Sequence, residues 1–333
     1  MKLLSLCLLS VCAAWASPCI TVAGCTEWVT FAGGPARSMI YRTYPLDVAN
    51  PQIARALIVI HGANRDADSY FRTALAAAFL GGALDDTIVI APRLASSAGS
   101  CRDHLESNEV SWSCAGDSWR SGGTATNNQK LTSFDFTDEI LRKLARKDVF
   151  PNLKAIVVSG HSAGGQYVER YAMANTVHEE LGVPVTYVVS NPSSYAYLDH
   201  TRPRAEGSDF RAFTDGRNCT TYNQWPYGLE HRTGGYTARE TDNQLMKQLA
   251  ARPVTYLLGE IDTLPLGGFD GSCPAMAQGP TRLARGQAFT KYVNQKFGAR
   301  RHTLTVVPLC GHNARCMFTA EPALPILFPK DVH

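Results

Sequence analysis

Beyond its amino terminus the sequence has no long hydrophobic run, so nothing in it predicts a bilayer-spanning helix, which needs about 20 consecutive apolar residues. It also has no block of like charge. With 32 Lys and Arg against 29 Asp and Glu spread along the chain, no nucleic-acid partner is expected. No C-x-x-C pair occurs and the histidines are not spaced to complete one, which removes the usual zinc frameworks, so no metal is expected. Internal repeats, low-complexity tracts and linkers are absent too. One domain, over 17–333, is therefore the expected organisation.

What is present begins with Met1-Lys2, an apolar run from Leu3 to Ala14, and the small-x-small pattern Ala14-Trp15-Ala16. This three-part arrangement predicts a secretory leader over 1–16. The run is too short to span a bilayer, so no stable membrane anchor is expected. Removing the leader takes Cys7 and Cys12 from the ten cysteines and leaves an even set, which in an exported chain implies disulfides. Proximity along the chain suggests Cys19 with Cys25, Cys101 with Cys114 and Cys310 with Cys316. Cys219 and Cys273 remain to pair with each other.

Short β-branched runs at Ala56–Ile60, Thr87–Ala91, Ala155–Ser159, Thr186–Ser190, Val254–Leu258 and Leu304–Val307 read as strands buried on both faces. Amphipathic stretches separate them, at Tyr70–Leu80, Phe134–Lys147, Gly164–His178, Asn243–Ala251 and Leu283–Phe297. Such alternation predicts an α/β fold with a mostly parallel sheet flanked by helices. Ser38–Tyr44 reads as an antiparallel leading strand. Two connections, Arg93 to Ser133 and Asn191 to about Asp242, are too long for simple crossovers and are rich in Gly, Ser, Asn and aromatic residues. Insertions of that length are candidate walls of a substrate cleft.

The strand at Ala155 runs directly into Gly160-His161-Ser162-Ala163-Gly164-Gly165 and then a helix. This is the G-x-S-x-G turn that lifts a serine above a sheet, with glycines where side chains would clash. A serine hydroxyl needs a base in reach, itself oriented by a carboxylate. After nucleophiles of this type the acid comes next in the chain and the histidine last. Asp262, just past the strand Val254–Leu258, is the expected acid, with Glu260 and Asp270 as competitors. His312, in Cys310-Gly311-His312 after the last strand, is the expected base. For the oxyanion, the backbone N–H groups of Ala163 and of Ala63 in His61-Gly62-Ala63-Asn64 are the expected donors, with the Asn64 side chain as an alternative to Ala63.

On His61-Gly62, the G-x-S-x-G stretch, Asp262 and Cys310-Gly311-His312, the chain resembles the α/β-hydrolase superfamily from about Ser38 to Phe318. Within it the resemblance is to exported carboxylesterases of the polyhydroxybutyrate depolymerase-like and feruloyl-esterase-like kinds. It implies the fold, an acyl-enzyme mechanism and no cofactor, but not a substrate. The leading expectation is hydrolysis of a carboxylic ester, small or polymeric, with a polyester depolymerase, a serine peptidase of the same fold and a catalytically silent binding protein as alternatives, and a monomer is expected. The insertion after Asn191 departs from the simplest members. Its Tyr195, Tyr197, Tyr222, Trp225, Tyr227 and Tyr236 fit either a pocket wall or the packing of a small cap. Asn64, His161, Tyr195 and Trp225 are the candidate substrate contacts.

Overall fold

The computed structural model describes residues 16–114, 118–204, 209–232, 235–298 and 301–330. The expected leader, apart from Ala16, lies outside them. Eight strands form one sheet: β1 (Thr26–Thr30), β2 (Arg37–Arg42), β3 (Arg55–Ile60), β4 (Thr87–Pro92), β5 (Ala155–His161), β6 (Val185–Ser190), β9 (Val254–Gly259) and β10 (His302–Val307). A separate two-stranded ribbon, β7 (Thr201–Pro203) with β8 (Phe210–Ala212), lies in the insertion after β6. The order across the large sheet is β1-β2-β4-β3-β5-β6-β9-β10. β1 and β2 are antiparallel, β2 runs antiparallel to β4, and every later pairing is parallel.

Strand residues alternate between two cores, which is why the runs read as continuously apolar. Ile58, Ile60, Ile88, Ile90, Ile156 and Val158 face one side, under α2 (Ser133–Leu144), α3 (Ala163–Ala174), α4 (Asp242–Ala251) and α6 (Arg282–Phe297). Leu57, Val59, Val89, Val157 and Val188 face the other, under α1 (Ala67–Leu80), α7 (Ala314–Thr319) and α8 (Leu324–Leu327). A short α5 (Cys273–Met276) precedes α6. Threonine caps start three of these helices: Thr132 with Asp135 on α2 and Thr241 with Gln244 on α4 each form a reciprocal capping box, and Thr281 accepts the Ala284 N–H at the start of α6. Among the described residues no helix is long and apolar enough to cross a membrane.

Two expectations change. The last strand is not buried on both faces: β10 pairs only with β9 at the sheet edge, and Leu304 and Val306 are exposed. The insertion after β6 packs inward. Tyr195 and Tyr197 are fully buried, and Tyr195 stacks on Phe289 of α6 with ring centroids 4.6 Å apart. Trp225 is partly buried against the same core. Tyr195 does not reach the cleft, because its ring fills the gap between the insertion and α6, so it is a packing residue, not a substrate contact; Trp225 is not among the residues that line the cleft.

Helix α3 is buried along its whole length, so its polar side chains must find partners inside. Gln166 donates to Ser194 Oγ at 2.7 Å, Arg170 donates to the same oxygen at 3.1 Å, and Glu169 accepts the Ala196 N–H at 3.3 Å. These bonds dock the start of the insertion onto the helix behind Ser162. Burial pushes the Glu169 carboxyl up to about 8, against the pull of neighbouring Arg170. A carboxyl raised in the folded state binds its proton more tightly there than in the unfolded chain. Stability therefore falls as pH rises from about 4.5 to about 8. In Glu169→Gln, which keeps the acceptor, that loss is removed: its melting temperature relative to wild type should climb between about pH 5 and about pH 8. Parallel curves across that range would contradict the assignment.

Candidate active site

Ser162 occupies the corner between β5 and α3 with φ 60° and ψ −119°, a region that non-glycine residues adopt only under constraint. The constraint is close packing. A Cβ on Gly160 would overlap the carbonyl oxygen of Gly164, and one on Gly164 would overlap the carbonyl oxygen of Ile60 at the end of β3. The Ser162 N–H donates to Ser190 O at 2.9 Å, tying the corner to the end of β6. The hydroxyl is thereby raised over the carboxyl ends of the parallel strands, where sites in open α/β sheets gather.

Two further strand ends meet it there. Asp262 follows β9 and is 3% exposed. His312 follows β10. Ser162 Oγ lies 2.9 Å from His312 Nε2, and His312 Nδ1 lies 2.8 Å from Asp262 Oδ2. The sequence competitors are engaged elsewhere: Glu260 accepts the Leu309 N–H at 2.9 Å, and Asp270 accepts the Tyr227 hydroxyl at 2.8 Å. Asn191 clamps the two loops by accepting the Gly259 N–H at 2.8 Å and donating to Gly311 O at 3.1 Å. Cys310 and Cys316 lie within bonding distance on either side of His312.

The loop after β3 passes against the nucleophile. A Cβ on Gly62 would stand 3.7 Å from Ser162 Cβ and 2.8 Å from the Tyr70 hydroxyl, so only glycine fits easily. This leaves Ala63 on the wall of the cleft, with Ala163 as the first residue of α3, at the positive end of the helix dipole. His61 locks the loop. Its Nε2 accepts the Leu94 N–H at 3.2 Å, its Nδ1 donates to Gly62 O at 2.9 Å, and burial pushes it down to about 4, so it stays neutral.

The cleft has a volume of about 460 Å³. Asn64 lines it together with Asp66, Ser69, Thr73 and Arg315. His161 also borders it but is 3% exposed and packs beneath His312, ring centroids 4.7 Å apart, with Nδ1 3.2 Å from the Tyr70 hydroxyl. Burial, reinforced by His312 and Arg282, holds His161 well below the usual histidine range. It is a neutral floor to the site.

Sequence reasoning missed Tyr70, Gly267 and Arg282; Asn191 reads from the sequence as a strand-end residue near the substrate or an ordinary turn, not as a clamp between two loops. Arg282 left a signal, an arginine just inside a helix start. The other pairs of cysteines stand as proximity suggested, Cys19 with Cys25, Cys101 with Cys114 and Cys219 with Cys273, all within bonding distance. Among the described residues no cluster of His, Cys, Asp or Glu is built to hold a metal ion.

A model described as the alpha/beta hydrolase family matches residues 57–324, and the chain belongs to that family. Among solved structures, a poly(3-hydroxybutyrate) depolymerase from Bordetella parapertussis superposes with a TM-score of 0.61 at 18% identity, over 90% of this chain and 87% of that one. Poly(aspartic acid) hydrolase-1 from Sphingomonas sp. KT-1 gives 0.62 at 22% identity, over 91% of this chain and 97% of that one. At such identities the likeness is one of fold. No curated protein matches the sequence.

Closing the short loop around His312 limits the unfolded chain. Replacing both Cys310 and Cys316 by Ser should lower the unfolding free energy by about 2 kcal/mol, read by denaturant melts. An unchanged midpoint and slope would show that the pair is not bonded.

Proposed function

We propose that the protein is an exported serine hydrolase that cleaves carboxylic esters, with Ser162 as nucleophile, His312 as general base and acid, and Asp262 orienting His312. The observation that carries this is the continuous hydrogen-bonded path from Ser162 Oγ through both imidazole nitrogens to Asp262, at 2.9 and 2.8 Å. Ser162 Oγ attacks the ester carbonyl carbon as its proton passes to His312 Nε2. Negative charge gathers on the carbonyl oxygen, which the N–H groups of Ala63 and Ala163 receive. Collapse breaks the carbon–oxygen bond to the alcohol, which leaves with the proton from His312. Water then gives a proton to His312, attacks the acyl-enzyme and releases the acid, restoring Ser162. Asp262 supports the imidazolium in both halves.

Asn64, Asp66, Ser69 and Thr73 make one wall of the cleft polar, which supports short or hydroxylated substrates over long fatty chains. Four cysteine pairs within bonding distance support an oxidising destination, and with it export. A narrower reading, action on a solid polyester, is favoured by Ile261, Leu264, Leu266 and Leu309, all more than half exposed on the loops that carry Asp262 and His312. Clearing of a suspended polyester film, against turnover of a soluble ester, separates the two.

On a soluble short-chain ester, Ser162→Ala and His312→Ala should each lower kcat/KM by about ten-thousandfold or more. Asp262→Asn should lower it by about a thousandfold or more, whereas Glu260→Gln and Asp270→Asn should cost less than about tenfold. A reversal of that order among the three acids would reassign the triad.

A further inference from the structure

Arg282 is the first residue of α6, where the helix dipole disfavours a cation. It is also 1% exposed. A guanidinium is costly in either place unless its surroundings compensate for lost water. Here each part of the fork has a partner. Nε donates to Ser193 Oγ at 2.8 Å, Nη2 donates to Gly267 O at 3.0 Å, and Nη1 faces Asp262 Oδ1 at 3.4 Å. Asp262 is the carboxylate with which it forms an ion pair.

We propose that Arg282 is a positioning residue for the Ser162–His312–Asp262 path, holding the Oδ1 side of Asp262 and the Gly267 backbone against which His312 rests. This assignment rests on the serine-hydrolase reading. The second contact matters as much as the first. A Cβ on Gly267 would lie 3.0 Å from His312 Cδ2, so the backbone that Arg282 holds borders the imidazole directly. One rigid side chain therefore fixes the acid that orients the ring and the loop that limits its tilt. Ser193, just past β6, anchors the fork to the sheet.

The distances also divide the labour. Asp262 bonds His312 at 2.8 Å and meets Arg282 only at 3.4 Å, longer than the roughly 2.7–2.9 Å of a strong charge-assisted bond. The carboxylate is thus anchored without surrendering its shorter bond to the base. Lysine, a point charge without a fork, cannot meet three acceptors in these directions.

The test measures kcat and KM on a soluble ester, normalised to the serine trapped by a phosphonate. In Arg282→Lys, which keeps the charge and loses the fork, kcat per trapped serine should fall about tenfold while KM holds within about threefold. In Arg282→Met kcat per trapped serine should fall further, on the order of a hundredfold, again with KM within about threefold. A merely structural role would reduce the trapped fraction and leave kcat per trapped serine unchanged. Wild-type kcat per trapped serine in Arg282→Lys, or in a folded Arg282→Met, overturns the proposal. If Arg282→Met does not fold, the Lys variant decides. A wild-type protein whose Ser162 is not trapped at all would instead overturn the reading of the site.

Discussion

At Ser162 the backbone turns so tightly that Gly160 and Gly164 touch carbonyl oxygens at the very points where side chains would stand. That corner is the constraint on which the rest depends. It forces a serine into a left-handed conformation that costs on the order of 1–3 kcal/mol, so the surrounding packing must over-determine it. Strand β5 lies at the middle of the sheet between β3 and β6, and the corner is bonded to the end of β6 and pressed against the end of β3. The strain is held where the sheet is most rigid. The reactive oxygen then has a fixed position, and every other group is placed relative to it.

The supporting groups reach that position from different strand ends and are held by different means. Asp262 and His312 come from β9 and the edge strand β10, the less enclosed half of the sheet. Their loops are accordingly reinforced by Asn191, by the cysteines flanking His312 and by the Arg282 fork. Histidines that could compete for protons are removed from the titration by burial: His61 is pushed down to about 4 and His161 lower than the usual range, leaving each a neutral spacer. The pattern is economical in charge. Asp262 and Arg282 are the buried pair nearest the chemistry, and the remaining cleft charges, Asp66 and Arg315, sit on its wall.

Much of this was legible in the sequence because the signals were local. The six parallel strands and their helices follow from runs of β-branched residues separated by helical periodicity, and the G-x-S-x-G corner announces itself by its glycines. Ser162, Asp262 and His312 follow from strand ends and chain order, and the structure brings all three together. What was not legible depends on contacts distant in sequence. β1 is five residues long and has no periodic context, and β10 reads like a central strand although it lies at an edge. Tyr195 carries surface area that serves a pocket or a core equally well, and only the placement of Phe289 on α6 decides for the core. Arg282 meets Ser193 some ninety positions earlier in the chain, a separation at which no spacing rule operates.

The central claim is that the hydroxyl of Ser162 is activated by His312. The most direct measurement is reaction of the folded protein with a fluorophosphonate, followed by mass-spectrometric mapping of the adduct in the wild type, Ser162→Ala and His312→Ala. An adduct on Ser162 in the wild type that disappears in both variants is the predicted result. A folded wild type that remains unlabelled, or an adduct that persists in His312→Ala at the wild-type rate, would contradict it.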